Sequence, residues 1–252
     1  MDTGKDVRAL VLSAGYGTRL GDLTRSTPKP MLSIHGRPIL EYIVRNLASQ
    51  GIHEIAINLH FMPEVIRNYF GSGSQFGVDL VYSYEPELLG TAGAVRCLAT
   101  FLGSADSFLV HYGDVLTDQN FLAMQEFHQK KRALVSILVH SRSLSNSVVT
   151  FDNDWRALSF RERPATQVSP PGRYWVNSGI YVCAPGLIEL IPDIVPCDFP
   201  RDVFPMLVRA GQLRGFPLSG YRCAIDSTSR LLEAAEAIEN KRCKINCAPH
   251  VA

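Results

Sequence analysis

Through the first half of the chain, short apolar runs alternate with stretches of helical periodicity, and this alternation restricts the fold more than any other feature. Strands separated by crossover helices pair in parallel, because a parallel neighbour is reached only through a long connection. Arg8 to Leu12 reads as a buried first strand. Pro38 opens a helix carrying Ile39, Ile43, Val44 and Leu47 on one face, Gly51 stops it, and Glu54 to Leu59 is the second strand. A helix at Pro63 to Phe70, a strand at Val78 to Tyr84, a helix at Thr91 to Leu102, a strand at Phe108 to Tyr112 and a helix near Asp118 to Lys130 continue the series. Strands then crowd together at Ala133 to His140, Val148 to Phe151, Ala157 to Phe160 and Tyr174 to Cys183. Helices near Pro200 to Ala210 and Ser229 to Lys241 close the chain, with strands at Leu213 to Pro217 and Tyr221 to Ile225. The expected class is α/β, a mostly parallel central sheet flanked by helices with one strand-rich side.

The 252 residues suit one large domain or two small ones, and neither a repeat nor a linker divides them. The Pro-rich stretch Thr166 to Gly172 is short and reads as a surface loop. The expectation is a single domain over 1–252 with halves at 1–130 and 131–252. Lys and Arg number 25 against 24 Asp and Glu, a formal charge of +1, so no basic field holds a nucleic acid. With 46% hydrophobic and 19% charged residues the chain has material for a core. No apolar run approaches the ~20 residues of a membrane span. The start, Met1 to Asp6, is polar, so the expectation is a cytoplasmic protein without membrane partners. The six cysteines form no CxxC pair, and Cys243, Cys247 and His250 are spaced as a solvated tail rather than a metal site. Oligomeric state is not readable, a homodimer being one assembly open to the chain.

The first strand runs into Leu12-Ser13-Ala14-Gly15-Tyr16-Gly17-Thr18-Arg19-Leu20, and a glycine-rich loop after a strand brings backbone amides toward phosphate. Two common templates fail. A Walker A loop needs Lys and then Ser or Thr after its last Gly, where this chain has Asp22 and Leu23 after Gly21. A dinucleotide fingerprint needs Gly or Ala where Leu20 stands. The loop is joined instead to Thr27-Pro28-Lys29-Pro30-Met31-Leu32, where two prolines restrict the backbone around Lys29 and aim its ammonium.

Gly-x-Gly-Thr-Arg-Leu followed closely by Pro-Lys-Pro resembles the opening of the sugar-phosphate nucleotidylyltransferases, and later segments continue the likeness. Leu89-Gly90-Thr91-Ala92-Gly93-Ala94 is similar to the family's base-side motif. Tyr112-Gly113-Asp114-Val115-Leu116 is similar to its metal motif, and Val176-Asn177-Ser178-Gly179-Ile180-Tyr181 to its sugar-side strand. Asp198-Phe199-Pro200-Arg201-Asp202-Val203-Phe204-Pro205 resembles the segment before the last helices. The resemblance implies a Rossmann-like nucleotide-binding fold with a nucleotide half and a strand-rich acceptor half. It also implies the reaction: a sugar 1-phosphate attacks the α-phosphorus of a nucleoside triphosphate, with Mg²⁺, and pyrophosphate leaves.

Under that resemblance Arg19, Lys29 and Asp114 are the catalytic residues, Arg19 and Lys29 holding the triphosphate. Leu12, Ala14, Gly15, Gly17, Thr18, Glu85, Gly90, Thr91 and Ala92 would bind the nucleotide. Tyr112, Gly113, Glu162, Arg163, Asn177 and Gly179 would bind the sugar phosphate, and Asp114 and Asp226 the metal. Some assignments have plainer alternatives. Arg19 could form a surface ion pair, Asp114 cap a helix or turn, and Glu85 face either sugar hydroxyls or solvent.

Four positions depart from the family. Ala224-Ile225-Asp226-Ser227-Thr228 places alanine at the usual second metal ligand; Asp226, about 6.6 Å further along a strand, either replaces it or caps the next helix. Asn146-Ser147-Val148-Val149 puts side chains where glycine often faces the acceptor, and Glu162-Arg163-Pro164 exchanges the family's Lys for the planar fork of Arg163. Asp22, where proline is common, is a loop detail.

Glu85-Pro86 ahead of the Leu-Gly-Thr segment looks most like guanylyltransferases acting on mannose 1-phosphate or heptose 1-phosphate. GTP is therefore the favoured triphosphate, and the altered Ser147 and Ala224 leave room for a cyclitol phosphate. The ending soon after the last helix reads as a stand-alone catalytic unit. Alternatives are a non-catalytic nucleotide-sugar-binding regulatory subunit on the same fold, motivated by Ala224, and a glycosyltransferase. The latter needs a D-x-D motif that Gly113-Asp114-Val115 does not supply.

Overall fold

The computed structural model describes residues 6–143, 147–162 and 172–245. Its elements begin with β1 (Val7–Leu12), a hairpin of β2 (Ser33–Ile34) and β3 (Arg37–Pro38), α1 (Ile39–Ser49), β4 (Glu54–Leu59), α2 (Pro63–Phe70) and β5 (Asp79–Tyr84). Next come α3 (Thr91–Cys97), α4 (Ala99–Gly103), β6 (Ser107–Tyr112), β7 (Val115–Thr117), α5 (Phe121–Lys131), β8 (Val135–Arg142), β9 (Val148–Phe151) and β10 (Ala157–Arg161). The last are β11 (Tyr174–Cys183), α6 (Phe204–Arg209), β12 (Leu213–Pro217), β13 (Arg222–Ala224) and α7 (Thr228–Glu239).

Contacts group these elements into two compact units. The first holds Arg8–Leu88, His111–Asn120 and the described residues from Ser219 on; the second holds the described residues up to Val7, Leu89–Val110 and the described residues from Phe121 to Leu218. The grouping is discontinuous along the chain, since the residues after Leu218 return to the unit of the opening strand, and it does not follow the halves at residue 130.

In the first unit β1, β4 and β5 pair in parallel, with Leu10 opposite Ala56 and Ile57 opposite Tyr82. Burial follows the expected pattern: Leu10, Val11, Ile55 and Ile57 of the strands and Ile39, Ile43, Val44 and Leu47 of α1 are nearly inaccessible to solvent. Burying each such side chain contributes roughly 1.5–3 kcal/mol. A short antiparallel pair, β7 with β13, sets Val115 opposite Ala224 and extends by the bond from Ile225 N to the Asp114 carbonyl, 2.8 Å.

In the second unit β8 pairs antiparallel with β11 and parallel with β12. Tyr181, Phe199 and Phe204 pack ring to ring at centroid distances of 5.0–5.5 Å, and Phe160 joins them on Phe204 at 5.1 Å. Among the described residues no helix is long and apolar enough to cross a membrane.

Three elements differ from the sequence reading. The helix expected over Thr91 to Leu102 breaks at buried Leu98 into α3 and α4. The first piece is tied to the Cys197 carbonyl through the amides of Ala92 and Gly93, and the second lies near Ile188 at Gly103. The helix expected from Asp118 starts at Phe121. The Asp118 carboxylate is taken instead by the backbone amides of Tyr221 and Lys244, at 2.5 and 2.7 Å. The helix expected from Pro200 begins as a π turn over Phe199–Val203 before α6.

Candidate active site

In the first unit, β1 ends at Leu12 and the chain enters the glycine loop. The amide of Ser13 donates to Asn58 Oδ1 at 2.7 Å, whereas the amides of residues 14–17 donate to no group among the described residues. Gly17 has φ +69°, a conformation open to glycine, and a Cβ there would stand 2.9 Å from the Cβ of Lys29. The loop thus closes directly onto Lys29. Lys29 opens a tight helical turn, Lys29–Met31, between Pro28 and Pro30, as the two prolines predict. Its ammonium is buried and ion-paired with the Asp114 carboxylate.

Gly113, just before Asp114, packs on the start of the same loop. Its amide donates to the Leu12 carbonyl at 2.9 Å, and a Cβ would lie 2.6 Å from that oxygen and 2.8 Å from Ser13 Oγ. Packing therefore accounts for Gly113. Ser13 Oγ is buried with no partner among the described residues. Tyr112 is half-buried, and its carbonyl accepts from the neighbouring imidazole of His111, whose burial pushes its pKa down to about 4, with that carbonyl and Asp114 opposing the shift. His111 is neutral at physiological pH.

Arg19 lies 3.6 Å from Asp226, both exposed, a pair worth little to stability. The adjacent Ser227, not Asp226, caps α7, its hydroxyl accepting from the Arg230 amide at 3.3 Å. Asp114 caps no helix either. Asp22 pairs locally with Arg25 at 2.9 Å, as a loop detail should. Glu85 is 1% exposed and accepts from Asn58 Nδ2 at 2.8 Å, which places it away from solvent. Ala14 is buried, Gly15 and Thr18 are exposed.

In the second unit the segment Leu89 to Ala94 is set against Cys197 and Asp198. The Cys197 amide donates to the Leu89 carbonyl at 2.8 Å, and its carbonyl accepts from Ala92 and Gly93 at 2.9 and 3.1 Å. Gly90 has φ +80°, and a Cβ there would overlap the Cys197 carbonyl. The Asp198 carboxylate accepts from the Thr91 amide and hydroxyl, at 3.0 and 3.2 Å, and Thr91 Oγ1 accepts in turn from the Phe199 amide at 2.9 Å.

Asn177 and Gly179 sit where β11 bulges, the four steps from Asn177 to Tyr181 facing the two from Val139 to Ile137 on β8. The Asn177 side chain spans the irregularity, accepting from the Gly179 amide at 3.0 Å and donating to the Tyr181 hydroxyl at 2.8 Å. Glu162 is exposed just after β10, and Ser147 lies just before β9; Asn146, Arg163, Cys247 and His250 lie outside the described residues.

A family model described as Nucleotidyl transferase matches residues 8–241. The chain belongs to the nucleotidyl transferase family. It is 32% identical over 219 residues to a UTP–glucose-1-phosphate uridylyltransferase of Synechocystis sp., covering 81% of this chain and 56% of that protein. It is also 32% identical over 220 residues to a mannose-1-phosphate guanyltransferase of Yarrowia lipolytica, covering 85% of this chain and 59% of that one. The chain thus spans somewhat over half the length of the curated relatives it matches. Among solved structures, HddC from Yersinia pseudotuberculosis superposes with a TM-score of 0.78 at 23% identity, over 92% of this chain and 99% of HddC, which bears out the expected Rossmann-like α/β fold. HddC is also known complexed with GMP-PN.

For this nucleotidyl transferase, sequence motifs marked the loop, Lys29, Asp114 and Thr91 but not the side chains behind them. Asn58, His60 and the carboxylate of Asp198 were missed. The signal for the first two was position, since Asn58 lies at the carboxyl end of β4 and His60 directly after it, where open α/β sheets present ligand-related groups.

Proposed function

We propose that this chain transfers a nucleotidyl group from a nucleoside triphosphate, GTP favoured, to a sugar 1-phosphate of the mannose or heptose type or to a cyclitol phosphate, in the cytoplasm. The observation that carries the reading is the Lys29–Asp114 pair at the glycine loop, joined to it through Gly17 on one side and Gly113 on the other. An anion-binding loop, a buried cation and a hard carboxylate are thereby gathered at the end of one strand.

The chemistry explains the need for such a set. A phosphate oxygen of the acceptor forms a bond to the α-phosphorus, the bond from that phosphorus to the bridging oxygen breaks, and pyrophosphate departs. Two unit charges ~4 Å apart repel by about 4 kcal/mol at an effective dielectric of ~20, so both partners need neutralising in an aligned geometry. The amides of residues 14–17 and the guanidinium of Arg19 serve the triphosphate, and Lys29 stabilises charge gathering on the departing group.

The donor set fits a divalent cation: Asp114 and Asp226 offer hard carboxylate oxygens, and Mg²⁺ is commonly held by one or two carboxylates completed by substrate phosphates. Mg²⁺ bound there would offset phosphate charge. Asn177, Gly179 and Glu162, with Arg163, serve the acceptor in this reading. The name of the Yarrowia relative, a mannose-1-phosphate guanyltransferase, supports guanine and mannose chemistry.

A matrix of five nucleoside triphosphates against hexose, heptose and cyclitol 1-phosphates, read by pyrophosphate release with and without Mg²⁺, tests the proposal. The expected result is release that requires both substrates and is fastest with GTP. Absence of release in every combination would overturn it.

A further inference from the structure

Tyr16 stands between Gly15 and Gly17, in a stretch of loop whose own backbone supplies little stiffness. Its hydroxyl lies 2.6 Å from His60 Nε2, and its ring meets the His60 ring edge-on at 5.0 Å between centroids. His60 Nδ1 is 2.8 Å from the Glu85 carbonyl. A carbonyl only accepts, so Nδ1 donates to it, and Nε2 is left to pair with the Tyr16 hydroxyl. Behind His60 the support is regular sheet, with Leu59 opposite Tyr84 and the Glu85 amide donating to the Leu59 carbonyl at 2.8 Å.

The start of the loop hangs from the same strand end. Asn58 accepts from the Ser13 amide and donates to the Glu85 carboxylate, at 2.7 and 2.8 Å, with Asn58 and Glu85 both buried. Two tethers two residues apart, one near the end of β4 and one just beyond it, therefore hold Ser13 and Tyr16, and between them lie amides that have no acceptor among the described residues.

We propose that Tyr16 and His60 are positioning residues, a hydrogen-bonded clamp that holds residues 14–17 in the conformation that receives the triphosphate. The inference rests on reading this loop as the phosphate cradle. The clamp presets the loop so that less ordering is left to the moment of binding, the general route by which preorganisation raises affinity.

The variants separate the two ends of the histidine. Tyr16→Phe keeps the ring and removes the hydroxyl. His60→Asn keeps a donor near the Nδ1 position for the Glu85 carbonyl and removes the partner of the Tyr16 hydroxyl. Two readouts apply: amide hydrogen exchange over residues 13–20 in the free protein, and titration with tripolyphosphate and with GTP, the first making the test independent of the base.

Each variant is expected to exchange several-fold faster in this segment alone, and to bind both probes about two- to tenfold more weakly, the range for one net hydrogen bond. The double variant is expected to match either single one, because the two residues form one contact. Unchanged exchange in both single variants overturns the clamp, and faster exchange with unchanged affinity overturns its role in binding. Failure of the unmodified protein to bind either probe would count against the proposed function, while the exchange comparison would still report on the clamp.

Discussion

In the loop after β1, a side chain added at Gly15 would meet nothing within 4 Å, whereas one added at Gly90 would overlap the carbonyl of Cys197. Both segments carry glycines and both match nucleotide-side motifs, yet they are built for different ends. The first leaves amides of residues 14–17 without acceptors among the described residues and sets Lys29 and Asp114 beside the loop. In the second the amides of residues 91–93 and the Thr91 hydroxyl are satisfied by the carbonyl of Cys197 and the carboxylate of Asp198. In the proposed reading Gly15 leaves room for the ligand, whereas Gly90 is required by the fold, and only the surrounding atoms tell the two apart.

That contrast can be broken most forcefully at the charged groups of the first segment. Arg19→Ala and Asp114→Asn are each expected to lower turnover by about 10²-fold or more, equivalent to roughly 3 kcal/mol of transition-state stabilisation, with the fold intact. Rates close to those of the unmodified protein in steady-state assays would remove these residues from the machinery.

The second segment should respond in stability instead. Asp198→Ala leaves the Thr91 amide and hydroxyl without their acceptor, so denaturant melts are expected to show a loss of about 1–3 kcal/mol. Tripolyphosphate affinity of the folded protein should stay the same, and a weakened affinity at unchanged stability would reverse the assignment.

The most gradual effect is a pH dependence, useful because it belongs to the second unit and not to the loop of the first. Burial pushes the His128 imidazole down to about 4, and it sits 3.0 Å from Ser136 Oγ. The unfolded chain, with an ordinary value near 6.5, binds the proton first. The contribution of His128 is therefore complete above about pH 6.5 and declines as pH falls toward 4, by roughly a kcal/mol per pH unit at most. His128→Gln should flatten the slope of unfolding free energy against pH in that window, and an unchanged slope would argue that His128 titrates alike in both states.

Much of this was legible in the sequence because periodicity and burial agree: β1, α1, β4 and α2 appear where apolar spacing, Pro38 and Gly51 place them. The Gly-Thr-Arg and Pro-Lys-Pro motifs located the loop and Lys29. What was not legible depends on contacts distant along the chain. Asp118 reads as a helix start until Tyr221 and Lys244 claim its carboxylate, and the break at Leu98 has neither proline nor glycine to announce it. Gly113 and Asn177 also meet structural requirements that their motifs do not announce, packing against Leu12 and spanning a bulge in β11. Motif letters record that a residue type is required, while the structure records what requires it.

A paired measurement on Gly15→Ala and Gly90→Ala, unfolding free energy alongside tripolyphosphate affinity, tests the central contrast most directly. The expected pattern is crossed. Gly15→Ala keeps its stability within about 0.5 kcal/mol, as surface changes usually do, and binds the probe at least tenfold more weakly because the new methyl occupies ligand space. Gly90→Ala is expected to lose about 3 kcal/mol or more through overpacking and a strained backbone. Stability loss at Gly15 with unaltered binding, or weakened binding at Gly90 with unaltered stability, would contradict the account.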